Sequence, residues 1–137
     1  MSVVRPRAKF RSLRVTPEFR DFVLDQLAGV RQLRPKRMFG GIGLYAGERF
    51  FAIVAADELF LKVDDVNRGA YEAAGSEPFR PVAARPVSMS YWRVPVEVLE
   101  DPAELRVWAQ AAIRAADAAA ARNPRPKKNV TMARRKT

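Results

Sequence analysis

Among its 137 residues the chain has neither cysteine nor histidine. Without cysteine there is no disulfide, no thiolate nucleophile and no thiolate metal site; without histidine there is no imidazole base and no ordinary zinc or haem ligand. Most familiar catalytic constellations are thereby excluded, and no cofactor or metal is called for. Long apolar runs are also missing. No stretch offers the roughly 20 apolar residues that span a bilayer, and residues 1–13 carry charge without the apolar segment of a secretory signal. A soluble, cytoplasmic protein with no membrane partner is the expectation. Carboxylates are missing from both ends of the chain. Residues 1–15 carry five cations (Arg5, Arg7, Lys9, Arg11, Arg14) and residues 122–137 carry seven (Arg122, Arg125, Lys127, Lys128, Arg134, Arg135, Lys136), with no acid in either. The net charge of +10 therefore belongs to two terminal arms, since residues 16–121 hold thirteen cations against fifteen carboxylates. Any electrostatic partner, nucleic acid above all, is expected on the arms, held without regard to sequence.

What lies between the arms reads as one domain, with residues 1–15 a basic N-terminal arm, 16–121 the domain and 122–137 a basic tail too poor in apolar residues to order itself. Thr16, Pro17 and Glu18 form a helix start, and Phe19, Phe22, Val23, Leu27 and Val30 follow on one stripe. The helix is predicted to run to about Leu33, stopped by Pro35, and Arg31, Arg34, Lys36 and Arg37 leave a basic cluster at its end that either complements the dipole or touches a phosphate or partner. From Met38 the period shortens to two, giving strands at 38–45, 49–55 and 59–63 joined by short turns, an antiparallel meander. Ile42, Leu44, Phe51, Ile53, Leu59, Leu61 and Val63 share the face that needs a helical cover. Phe50, Phe60 and Lys62 lie opposite, an aromatic face calling for the arms or a second copy of the chain as cover. Asp64 or Asp65 caps a short helix over 66–74 that Gly75 ends; with no third carboxylate nearby the pair falls short of a metal site. An edge strand at 79–82, a strand at 87–94 and a last helix opened by Asp101, Pro102 and Glu104 complete an α+β order, α-β3-α-β2-α: a two-layer, five-stranded antiparallel sheet with helices mainly on one face.

The most informative stretch is 37–45, Arg-Met-Phe-Gly-Gly-Ile-Gly-Leu-Tyr. Gly40, Gly41 and Gly43 are costly in a regular strand, so the backbone there needs positive φ, a bulge or close approach of another group. Read with 73–79, Ala-Ala-Gly-Ser-Glu-Pro-Phe, and with 86–95, Pro-Val-Ser-Met-Ser-Tyr-Trp-Arg-Val-Pro, it resembles the N-terminal domain of the TfoX/Sxy family. The resemblance runs from about Phe19 to about Ala116, and departs where Ile42 stands in place of a frequent aromatic. It implies a two-layer α+β fold and a bacterial regulatory role. The members that give the family its name are competence regulators that act with a cyclic-AMP receptor protein at promoters and carry a second, helical domain; the expectation here is a stand-alone N-terminal domain. The motif residues so implied, as structural or partner-binding, are Arg37, Met38, Phe39, Gly40, Gly41, Gly43, Tyr45, Met89, Ser90 and Tyr91. Ser88 or Ser90 as a nucleophile lacks both a histidine base and a nucleophile-elbow pattern. The leading reading is a non-enzymatic domain that binds a transcription factor or another protein. The alternative is a small-ligand binder or enzyme that uses the glycine run, marked by a pocket there with a perturbed carboxylate or arginine.

Overall fold

The computed structural model describes residues 13–38, 40–79 and 90–122. The expectations placed on residues 1–12, on the 80–89 stretch with its edge strand and Met89, and on the tail beyond Arg122 lie outside the described residues. So does Phe39. Within them the fold is the expected α+β class: one antiparallel sheet in the order β1-β2-β3-β4-β5, with the helices on one of its faces.

α1 (Pro17–Gln26) starts as its sequence dictates, the Thr16 hydroxyl accepting from the Phe19 amide at 3.2 Å and Pro17 occupying the first turn. It stops well before Leu33. Its last cap is Leu27, and the chain turns into β1 (Leu33–Met38) through Gln32 at φ 55°. The basic residues expected to complement a helix dipole therefore stand on an edge strand. Pro35 explains the error, because its fixed φ and missing N–H break a helix but suit the outer strand of a sheet. β1 pairs with β2 (Gly41–Ala46) through a two-residue connection closed by Met38 opposite Gly41, so the single strand expected at 38–45 is the tip and second arm of a hairpin.

β3 (Arg49–Ala55) and β4 (Glu58–Lys62) follow as the alternation predicted. Their turn puts both Ala56 (φ 52°) and Asp57 (φ 56°) in the left-handed region, the backbone of a tight hairpin. The segment before α1 braces it: the Thr16 amide and hydroxyl donate to the Asp57 carboxylate at 2.8 and 3.1 Å, and the Ala56 amide donates to the Leu13 carbonyl. One irregularity redirects side chains. The β2–β3 register skips a residue between Leu44–Ala52 and Tyr45–Phe50, so Phe51 is an extra residue, a β-bulge. Phe51, Ala52 and Val54 accordingly enter the main core, while Ile53 joins Phe50 and Phe60 on the other face instead of sharing a side with Phe51 as strict alternation predicted.

α2 (Arg68–Ala73) is shorter than expected, and neither Asp64 nor Asp65 caps it: the N-cap position is Asn67, which makes no side-chain cap hydrogen bond. Asp64 shapes the loop ahead of it, accepting from the Val66 amide at 2.9 Å while Asn67 Oδ1 accepts from the Asp64 amide at 2.8 Å. Gly75, at φ 74°, supplies the left-handed stop. β5 is Tyr91–Arg93, pairing with β4, and Pro78 bridges Trp92 beside it. A one-turn helix not foreseen in the sequence, α3 (Val96–Leu99), buries Val98. α4 (Pro102–Arg122) is capped by Asp101, which accepts from Ala103 and Glu104 amides. Its stripe of Leu105, Ala109, Ala112 and Ala116 packs with Val23 and Leu27 of α1 on the sheet, the alanines allowing close approach.

Candidate functional site

The face of the sheet opposite α1 and α4 gathers residues from motifs far apart in the sequence. Its floor is Gly43. A Cβ there would sit 2.5 Å from Met38 Cε and 2.9 Å from Phe50 Cε1, so only glycine lets these two side chains lie across the strand. Phe50 is thereby set between two tyrosines, its ring 5.2 Å from Tyr45 and 5.4 Å from Tyr91. A cation closes each end of the row: the Arg34 guanidinium lies 5.2 Å from the Tyr45 ring and the Lys62 ammonium 5.2 Å from the Tyr91 ring. Each of the five strands contributes one residue, Arg34, Tyr45, Phe50, Lys62 and Tyr91 from β1 to β5, and the Tyr91 ring on β5 reaches past β4 to meet Phe50, with its register partner Lys62 over its ring.

Each cation is held in place. Arg34 donates through Nε and Nη2 to the Gly47 carbonyl at 3.2 and 2.9 Å. Lys62 Nζ donates to Ser90 Oγ at 3.0 Å, and among the described residues no carboxylate pairs with it. Burial holds the Lys62 ammonium below the ordinary lysine range; Asp64 acts against that shift and the charge of Arg122 adds to it. Burial, with the neighbouring Tyr45 adding to it, pushes the Tyr91 phenol well above the tyrosine range, and its hydroxyl donates to the Phe50 carbonyl at 3.5 Å. Beside the row, where α4 overhangs the sheet, opens a cleft of about 730 Å³ walled by Arg49, Phe50, Lys62, Tyr91, Ala116 and Ala120. Arg49 is anchored at its rim by Asp117, 2.6 Å away.

The motif residues separate by role. Gly40 turns the β1–β2 hairpin at φ 83°. A Cβ on Gly41 would lie 2.6 Å from the Val54 carbonyl oxygen, so that glycine lets β2 approach β3. Met38, Gly43, Tyr45, Ser90 and Tyr91 converge on the aromatic row. Arg37 does not join them; it is exposed, paired with Ile42 in the sheet register, and lines a groove with Arg20 and Lys36. Arg122 is the exposed last residue of α4, whereas Met89, Arg125, Lys127, Lys128, Arg134, Arg135 and Lys136 fall outside the described residues. Sequence reasoning singled out Arg34 only within a basic cluster at a helix end, where the structure has strand β1, and left Phe50 and Lys62 out of the site although alternation had placed them on this face. The rings whose apparent exposure prompted self-association have intramolecular neighbours: Phe60 is buried against Phe79, their centroids 4.4 Å apart, and Phe50 sits between the tyrosines.

The arrangement is a row of packed rings flanked by two fixed cations, with the Tyr91 ring buried and its hydroxyl turned to the Phe50 carbonyl. A family model, the TfoX N-terminal domain, matches residues 25–116. No curated protein matches the chain.

Proposed function

Because the chain belongs to the TfoX N-terminal domain family, and is a regulatory domain of that type, we propose that it works without catalysing a reaction, by docking a protein partner on the aromatic row and its cleft. The convergence of two motifs, separated by some forty residues of other sequence, on Phe50, Tyr91 and Lys62 carries this reading. The partner class is a transcription factor or another cytoplasmic protein, and the arms add affinity for nucleic acid of any sequence. No helix among the described residues is long and apolar enough to cross a membrane.

The glycine run offers less to the enzyme alternative. Gly41 and Gly43 are filled by close approach of protein atoms; the groove beside Gly40 and Gly41 supplies two arginines, Arg20 and Arg37, but no carboxylate to work as an acid or base.

A capture experiment from the native cell tests the proposal, using the full chain and an Arg34→Gln/Lys62→Gln variant, each with and without nuclease. The expected result is a protein retained by the unsubstituted chain, insensitive to nuclease and lost with the variant. Loss on nuclease treatment, or retention by the variant, refutes docking on this surface.

A further inference from the structure

The geometry points to a second contact surface on the folded domain: the groove between α1 and the β1–β2 hairpin binds the phosphate backbone of nucleic acid through Arg20, Lys36 and Arg37. This goes beyond the activity assigned to the arms, because it needs neither of them.

The near-neutral balance of residues 16–121 conceals a local excess. Residues 26–47 contain Arg31, Arg34, Lys36 and Arg37 and no carboxylate at all. Folding puts the last three on β1, at the edge of the sheet, where Arg34, Lys36 and Arg37 are exposed. Arg34 is committed to Gly47 and Tyr45. Lys36 and Arg37 instead line a groove of about 280 Å³ together with Arg20 of α1, Val15, Gly40 and Gly41. The carboxylate in contact with this set is Asp21, 3.1 Å from Arg20, and both partners are largely exposed; such surface pairs contribute little and exchange readily. α1 itself carries exposed Glu18, Asp21 and Asp25, so the cationic side of the groove is β1, which has no carboxylate; Glu97, Glu100, Asp101 and Glu104 follow β5, the opposite edge strand.

The occupant follows from the chemistry of the edge. Pro35 takes an N–H donor away from β1, and a charged, proline-bearing edge resists addition of a strand from another protein. What remains on offer is long, exposed cationic side chains around a shallow groove. No rigid element projects from it into a base edge, so phosphates are contacted and bases are not read.

The test uses the full-length chain in four forms: unsubstituted; Arg20→Gln/Lys36→Gln/Arg37→Gln; a neutralised tail with Lys127, Lys128, Arg134, Arg135 and Lys136 all changed to Gln; and Arg114→Gln as an exposed control on α4. Each is titrated by fluorescence anisotropy against two duplexes of unrelated sequence over a range of salt concentrations, with circular dichroism to establish folding. At ~0.9 per phosphate contact, the groove variant is expected to flatten the log–log salt slope by about 2 to 3, equally for both duplexes. The Lys36→Gln/Arg37→Gln pair, should the triple variant fold poorly, flattens it by about 2. The tail variant reports on the arms separately, and its loss adds to that of the groove. An unchanged slope in the folded groove variant overturns the inference while leaving the arms reading intact. Polyglutamate binding as tightly as duplex, with the same loss in the groove variant, also overturns it by making the groove a site for acidic protein.

Discussion

Replacing the motif glycines one at a time with alanine separates the backbone's need for glycine from the partner's. At Gly41 the new Cβ would stand 2.6 Å from the Val54 carbonyl oxygen. That oxygen belongs to the neighbouring strand, so relief requires moving β3, and a loss of about 3 kcal/mol is expected, the upper end of overpacking costs. At Gly40 space is not the obstacle, since the nearest atom to the added Cβ is Leu13 Cβ at 3.8 Å; φ of 83° is. A left-handed alanine costs roughly 1–2 kcal/mol, part of it returned by the stiffer unfolded chain. At Gly43 the clash is with Met38 Cε and Phe50 Cε1, the ends of side chains that can swing aside for about 1 kcal/mol. Swinging Phe50, however, breaks its stack on Tyr45 and its tilted contact with Tyr91. Stability should therefore fall most for Gly41→Ala, while partner capture, measured on protein verified as folded, falls most for Gly43→Ala. Urea unfolding followed by tryptophan fluorescence measures the first, because Trp92 and Trp108 both contact Tyr71 in the core. If Gly41→Ala kept its unfolding midpoint but lost the partner, the glycine would be functional and the steric account wrong. If Gly43→Ala captured partner normally, the aromatic row would not be the docking surface.

Three further substitutions test the packing and electrostatics. The Tyr71 hydroxyl is buried with no hydrogen-bond partner among the described residues, so Tyr71→Phe is expected to raise stability by about 1 kcal/mol at pH 7, read as a higher melting temperature; a lower one would reveal a missed partner. Burial holds that phenol protonated in the folded state well above the tyrosine range, while in the unfolded chain it ionises near ~10. Stability should therefore fall as pH rises past about 10, and the fall should be shallower in Tyr71→Phe. Lys62 is shifted the other way, down and mainly by burial, so the cost of burying its charge is relieved as pH rises from its folded value toward the unfolded ~10.4. Lys62→Gln should raise the urea midpoint at pH 7, with an advantage that shrinks on the alkaline side; an advantage that grows there would contradict the sign. Asp57→Ala removes the carboxylate that accepts from the Thr16 amide and hydroxyl, and should cost about 1 kcal/mol in thermal unfolding; no change would mean that α1 is not anchored to the β3–β4 turn.

Local chemistry alone determined much of this protein. Thr16 and Pro17 start a helix, Gly75 ends one and Asp101 caps another wherever the chain goes, and period-two alternation marks β3 and β4, because these signals act over a few residues and need no distant partner. The family resemblance was equally legible, being carried by contiguous motifs. Only the tertiary structure decided what depends on pairing. That 33–38 is a strand follows from the existence of β2 as its partner, and Pro35 says merely that no helix continues there. The bulge at Phe51 is a mismatch between two strands and so is invisible in either; it turned Ile53 away from the core and kept Phe50 on the open face. The site itself is of this kind. Gly43, Phe50, Lys62, Ser90 and Tyr91 are neighbours because five strands stack in one order, and the basic edge of β1 emerges from a neutral average because the fold puts like charges together.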